Sequence, residues 1–170
     1  MNRILGIISA ILFILLFSMM VGGWLFSGFD MTSNAMEPTI KENGLIFINR
    51  FRVRARGPSR GEIVLLRVPG EEAQIIRRVI GLPGDRVELK GGILYINDIK
   101  KDEPYLKALE NEPKLEGSEP IYFGPAHVPD GFCFVLGDNR LKSYDSRVFG
   151  MVRLGLVTGS VWVLWGTFVI

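Results

Sequence analysis

The 170-residue chain contains one cysteine, Cys133, and one histidine, His127. A single cysteine excludes an internal disulfide, a cysteine zinc cluster and a CxxC redox pair. One histidine with no cysteine cluster beside it argues against a metal site, and no cofactor is implied. A charge excess of one sign is also missing: 20 Lys and Arg stand against 18 Asp and Glu, a net +2, too balanced to argue for a nucleic-acid partner. After residue 30 no long stretch carries a sustained helical apolar period. The length allows one domain of ordinary size with a short appendage.

What is present begins with an uncharged run from Ile4 to Phe29, longer than the roughly 20 residues that a helix needs to cross the hydrocarbon core. The small-x-small pattern Ser33-Asn34-Ala35 fits a cleaved secretory signal, but the run far exceeds the roughly 7 to 15 residues of a signal core. Residues 1–30 are therefore read as an uncleaved, single-pass transmembrane anchor. Arg3 and the amino terminus precede the span while Asp30 and Glu37 follow it. This bias places the N-terminus in the cytoplasm and residues 31–170 outside it, on the cell membrane.

Residues 31–170 read as a mainly β domain. Short β-branched and aromatic runs such as "GEIVLLRV", "AQIIRRVIG" and "GFCFVLGD" are separated by Gly, Pro, Asn and Asp, a strand signature. In "VELKGGILYIN", Gly91 and Gly92 supply the positive φ of a hairpin turn. Residues 98–120, rich in charge and proline, read as a surface excursion with at most a helical turn around Tyr105 to Leu109. The tail "VWVLWGTFVI" reads as a terminal strand, buried or facing the membrane. Arg50, Arg52, Arg54 and Arg56 alternate with apolar residues, so an extended chain puts four guanidiniums on one side. Such a stripe protects a strand edge or meets anionic lipid headgroups. Cys133, between Phe132 and Phe134, reads as a plain core residue, and His127 as a surface residue beside a turn.

Four boxes follow the anchor: "SNAMEPTI" (33–40) running on into "NGLIFINR", "RGEIVLL" (60–66), "IIRRVIGLPGD" (75–85) and "LGDNRLKSYDSRVFG" (136–150). In this order, over most of the chain, they resemble the bacterial type I signal peptidases. That resemblance implies a single N-terminal transmembrane helix followed by a signal-peptidase-like antiparallel β domain. It also implies a serine nucleophile and a lysine base that cut exported preproteins after small residues.

Carried over by position, the nucleophile falls on Ala35 and the general base on Arg77. A methyl group has no proton to lose and no lone pair to attack with. A lysine becomes a base when burial makes it neutral, whereas a guanidinium keeps its proton. The resemblance assigns Ser33 as hydroxyl donor to the oxyanion and Ser143 as the residue positioning the base. Arg78, Asp138, Asp145 and Arg147 match residues that brace the site, Asp145 and Arg147 forming a charge-assisted pair. Ser33 lies about 6 to 7 Å from position 35 in an extended chain, too far to replace the nucleophile. Ala35 alone fits deliberate inactivation; Arg77 as well fits a natural pseudo-enzyme.

The resulting expectation is a pseudo-peptidase of the signal peptidase family. It binds signal peptides or preproteins as extended peptides, contacts the lipid membrane and acts alone or beside an active signal peptidase. The alternative is an active enzyme that removes signal peptides with an unrecognised residue.

Overall fold

The computed structural model describes residues 2–30, 33–42, 44–68, 70, 73–106 and 121–165. Helix α1 (Asn2–Leu25) leads directly into β1 (Phe26–Asp30), which pairs antiparallel with β2 (Leu45–Asn49). Residues 26–30, which the sequence reading counts with the anchor, thus belong to a sheet. An uncharged run satisfies helix and strand equally, and only pairing with β2 separates the two. From Ile4 to Met20 the large apolar side chains of α1 are exposed on every side. Those 17 residues are the part of α1 whose side chains are described. Among the described residues no helix is long and apolar enough to cross a membrane.

The remaining strands are β3 (Ile63–Arg67), β4 (Gln74–Gly81), β5 (Arg86–Lys90), β6 (Ile93–Ile96), β7 (Ile99–Lys100), β8 (Phe123–His127), β9 (Phe132–Leu136), β10 (Val152–Arg153) and β11 (Val157–Trp165). They make a seven-stranded sheet, β1-β2-β11-β3-β4-β9-β10, and a four-stranded one, β7-β6-β5-β8. Every pairing is antiparallel. The mainly β expectation therefore holds.

Strand β3 is apolar without interruption because both its faces are covered. Ile63 and Leu65 pack with Met36, Ile40, Ile46 and Ile48, while Val64 and Leu66 pack with Val53, Val79, Cys133 and Val135. Met36 and Ile40 belong to the "SNAMEPTI" box, so burial of its apolar residues under the sheet holds the whole box in place. A third cluster, Val87, Leu89, Leu94 and Ile96 with Ile80, Phe134 and Leu136, joins the small sheet to β4 and β9. Gly91 and Gly92, at φ 60° and 84°, turn the β5–β6 hairpin.

The arginine stripe is not a strand. Arg50–Arg56 forms helix α2. Asn49 caps it, its side chain accepting from Arg52 N at 3.1 Å, and Gly57 ends it at φ 69°. Arginine is a strong helix former, and with a cap at each end this outweighs the two-residue alternation. The guanidiniums consequently divide between helix faces rather than lining one side. Three of the strands have no signal in the sequence: β7, two residues long, lies inside the stretch read as a surface excursion and pairs with β6; β8 contains Gly124 and Pro125, tolerated because it is an edge strand; and β10 is two residues long. Residues Pro104–Leu106 form a 3-10 turn; the rest of the expected turn to Leu109, and the tail beyond Trp165, lie outside the described residues.

Gly81, in β4, has no room for a side chain: a Cβ there would sit 2.6 Å from Val87 Cγ2 and 3.0 Å from Val128 Cγ2. Gly81→Ala should lower stability by about 1–3 kcal/mol, read as a lower urea midpoint at unchanged slope.

Candidate functional site

The boxes far apart in sequence are tied together by hydrogen bonds between buried groups. Ala35 lies in a 3-10 turn, Asn34–Met36, and is buried. Its carbonyl accepts from Asn139 N at 3.0 Å, and Asn34 O accepts from Asn139 Nδ2 at 3.2 Å. These two bonds join the first box to the fourth. Gly137 lies between them and Ser143: a Cβ there would overlap the Ser143 hydroxyl and sit 2.6 Å from Ala35 O. The Gly in "LGDNR" is therefore a close-approach residue.

Adjacent residues on a strand point to opposite sides, and Arg77 and Arg78 of β4 do different work. Arg78 Nε donates to Asp138 Oδ1 at 2.8 Å and Arg78 Nη2 pairs with Oδ2. Nη1 reaches Gly61 O at 2.9 Å in the second box, and Nη2 reaches Thr39 Oγ1 at 3.2 Å in the first. Tyr105 stacks on the guanidinium, 3.9 Å from Arg78 Cζ to the ring centroid. Tyr105 donates to Glu103, which also pairs with Arg140. Burial, then the charge of Glu103, pushes the Tyr105 phenol up and keeps it a donor.

Arg77 is turned the other way. Its Nε and Nη2 donate to Tyr144 O at 2.9 Å and 2.8 Å, and Nη1 donates to Ile76 O. It is 5% exposed. Burial lowers its pKa, Asp145 raises it and Arg147 lowers it. A guanidinium has no acceptor atom, and this one already donates to carbonyls, so it cannot take a proton from a nucleophile.

Asp145 is fully buried. It accepts from Gly137 N at 3.0 Å and from Arg147 N, Nε and Nη2, the charge-assisted pair expected from the sequence. Ser143 Oγ is buried and has no hydrogen-bond partner among the described residues. Ser33 is exposed; its Oγ accepts from Ala35 N at 3.3 Å as a cap on the 3-10 turn. The chain therefore curls after Ser33 rather than continuing extended, which corrects the expected spacing. Capping has its own sequence logic, a serine ahead of a helical turn.

Cys133 is in the core and burial pushes its thiol up to about 12, while His127 is exposed at the end of β8. The two residues therefore offer no reactive thiol. Thr39, Glu103, Tyr105 and Arg140 join the site without having been singled out from the sequence. Thr39 lies inside a quoted box, whereas Glu103 and Tyr105 sit in the variable excursion, where nothing in the pattern marks them.

The sequence and the fold find matches among known proteins. The chain matches the family described as "Signal peptidase, peptidase S26" over residues 4–165. It is 37% identical over 143 residues to signal peptidase I of Bacillus caldolyticus, covering 81% of this chain and 78% of that one. It is 39% identical over 142 residues to signal peptidase I S of Bacillus subtilis (strain 168), covering 82% and 76%. A crystal structure of a signal peptidase I from Enterococcus faecalis V583 superposes with a TM-score of 0.54 at 36% identity, over 65% of this chain and 98% of that one. The chain belongs to the signal peptidase family, peptidase S26.

Two outcomes test this geometry. Asp138→Ala leaves the Arg78 guanidinium buried without its counter-charge and should cost about 3–5 kcal/mol, measured by urea unfolding. The Cys133 thiol is held protonated in the folded state and ionises in the unfolded chain above roughly pH 8.5. Its contribution to stability is complete below that pH and is lost as pH rises towards about 12. Alkylation of Cys133 at pH 8 should accordingly be negligible until urea unfolds the chain.

Proposed function

We propose that this protein is a pseudo-peptidase that retains the substrate-binding scaffold of its family and lacks its hydrolytic chemistry. The observation that carries the reading is the state of three neighbouring positions. Ala35 has no hydroxyl, Arg77 donates to the Tyr144 and Ile76 carbonyls, and the buried Ser143 Oγ has no partner among the described residues. Where the resemblance puts a lysine, Ser143 would hold a neutral amine; with arginine in place that hydroxyl has nothing to orient. Asp138, Asp145, Arg78 and Arg147 are present where the resemblance asks for bracing residues and Ser33 where it asks for the oxyanion donor, with only the acid–base and nucleophilic groups replaced.

A signal peptide or preprotein, accepted as an extended chain whose small side chains enter shallow pockets, needs the scaffold and not the nucleophile. Helix α1, Asn2–Leu25, serves as the membrane anchor, with the N-terminus in the cytoplasm and the β domain outside. Its support is α1 itself: aliphatic and aromatic side chains from Ile4 to Met20 are exposed all round, a surface that water disfavours and lipid accepts. An active signal peptidase in the same membrane is a natural partner.

The test is cleavage of a model preprotein by the detergent-solubilised full chain, with peptide binding measured in parallel. The unaltered protein should bind the signal peptide and leave it intact. Ala35→Ser with Arg77→Lys should restore cutting after a small-x-small site, while each single substitution stays inert. The rate gap between double and single variants should be on the order of 10⁶ if both groups act as one unit. Specific cutting by the unaltered protein would establish the alternative, an active signal peptidase with another nucleophile.

A further inference from the structure

Residues 98–120 read in the sequence as a solvated excursion, yet two of their polar side chains are directed into the protein. Pro104, whose ring fixes φ, opens a 3-10 turn closed by Leu106 N, which donates to Glu103 O at 2.9 Å. The turn brings Glu103 and Tyr105 together, the Tyr105 hydroxyl donating to Glu103 Oε1.

Each of the two then meets an arginine from a different box. Glu103 accepts from both Nη1 (3.2 Å) and Nη2 of Arg140, in a pair whose side chains are each 9% exposed. Burial works against the charge of Arg140, but the hydrogen bonds and charge of Glu103 outweigh it and raise its pKa. Arg140 Nε in turn donates to Gly137 O at 3.1 Å. Tyr105 lies over the guanidinium of Arg78, which holds Asp138. One short segment therefore backs both arginines that fix the consecutive residues 137 and 138.

Those two residues carry the junction between the first box and the fourth. Gly137 N donates to Asp145 Oδ2 at 3.0 Å, so with Arg140 on its carbonyl the residue is held at both ends. It also lies directly against Ser143 Oγ and Ala35 O. Two residues on, Asn139 N donates to Ala35 O at 3.0 Å. Anchoring a loop does not require a buried ion pair, because apolar residues of similar volume do so without the desolvation cost. What a bidentate guanidinium–carboxylate pair adds is a fixed orientation.

We propose that Glu103 and Tyr105 are positioning residues of the site, setting the turn 137–142 against Ala35 and Ser143 through Arg140 and Arg78. A displacement of the excursion is then felt at Ala35. The proposal holds whether the site cuts or only binds, and so does not rest on the pseudo-peptidase reading.

The experiment is amide hydrogen exchange, resolved by residue, on the full chain in detergent. The reporters are the amides of Gly137 and Asn139. The references are Val79 and Val128, whose amides donate to Glu62 O at 2.9 Å and Asp85 O at 2.8 Å. Glu103→Gln should speed exchange at both reporters about tenfold and leave the references unchanged. Glu103→Gln with Arg140→Gln should exchange no faster than Arg140→Gln alone, since the two side chains act as a unit. Tyr105→Phe keeps the ring over Arg78 and loses only the donor to Glu103, so it folds even if the charge variants do not. It should speed the same two amides, by a smaller factor. Equal acceleration of reporters and references would make the segment a brace on overall stability and overturn the proposal. Unchanged reporters in Tyr105→Phe, or additive effects of Glu103→Gln and Arg140→Gln, would overturn it as well.

Discussion

Arg78 and Asp138 are 60 residues apart in sequence, both buried, and joined by two hydrogen bonds. Neither charge is tolerable in that position alone, because a buried ion without its partner loses hydration and gains nothing in return. Their pairing fixes β4 against the loop after β9, and the spare donors of Arg78 then hold Gly61 and Thr39. Four segments meet at one guanidinium. The position of Ala35, the turn of Ser143 and the orientation of Arg77 all follow from where those segments are held.

On the proposed pseudo-peptidase reading, that dependence explains how the scaffold is kept while the chemistry is lost. Arg78 and Asp138 are structural: exchanging either disturbs every box at once. Ala35 and Arg77 stand on the same framework without supporting it. A buried methyl group at 35 needs no partner. At 77 a guanidinium finds the carbonyls of Tyr144 and Ile76, a lasting set of acceptors that a neutral amine would not require. On that reading, reaction groups are replaceable at small cost to the fold, provided each replacement satisfies its own hydrogen bonds.

The strands that the sequence makes legible are those covered on both faces, β3, β4 and β9, since continuous burial demands unbroken apolar runs. The β5–β6 hairpin is equally plain, because its turn needs two glycines in a row. The chain hides what depends on partners distant in sequence. Residues 26–30 read as helix until β2 is there to pair with them, and 50–56 read as strand because their alternation outshouts two cap residues. The site divides in the same way. Ser33, Ala35, Arg77, Arg78, Asp138, Ser143, Asp145 and Arg147 lie in recognisable boxes, whereas Glu103 and Tyr105 reach the site from the excursion by virtue of the fold alone. The close-approach role of Gly137 is equally invisible in one dimension.

The last of the described strands is not at the edge of the large sheet. β11 lies between β2 and β3, so β1–β2 and β3–β4 are joined only by a strand that follows both of them in sequence. Until β11 arrives, β1–β2 and β3–β4–β9 are two separate half-sheets, each with an open edge and an uncovered apolar face. Closing them requires contacts between distant parts of the chain, the slow kind, and the wait leaves pairing edges available to other chains. For this architecture the large sheet closes only once β11 is in place, and that strand acts as a keystone rather than as an appendage.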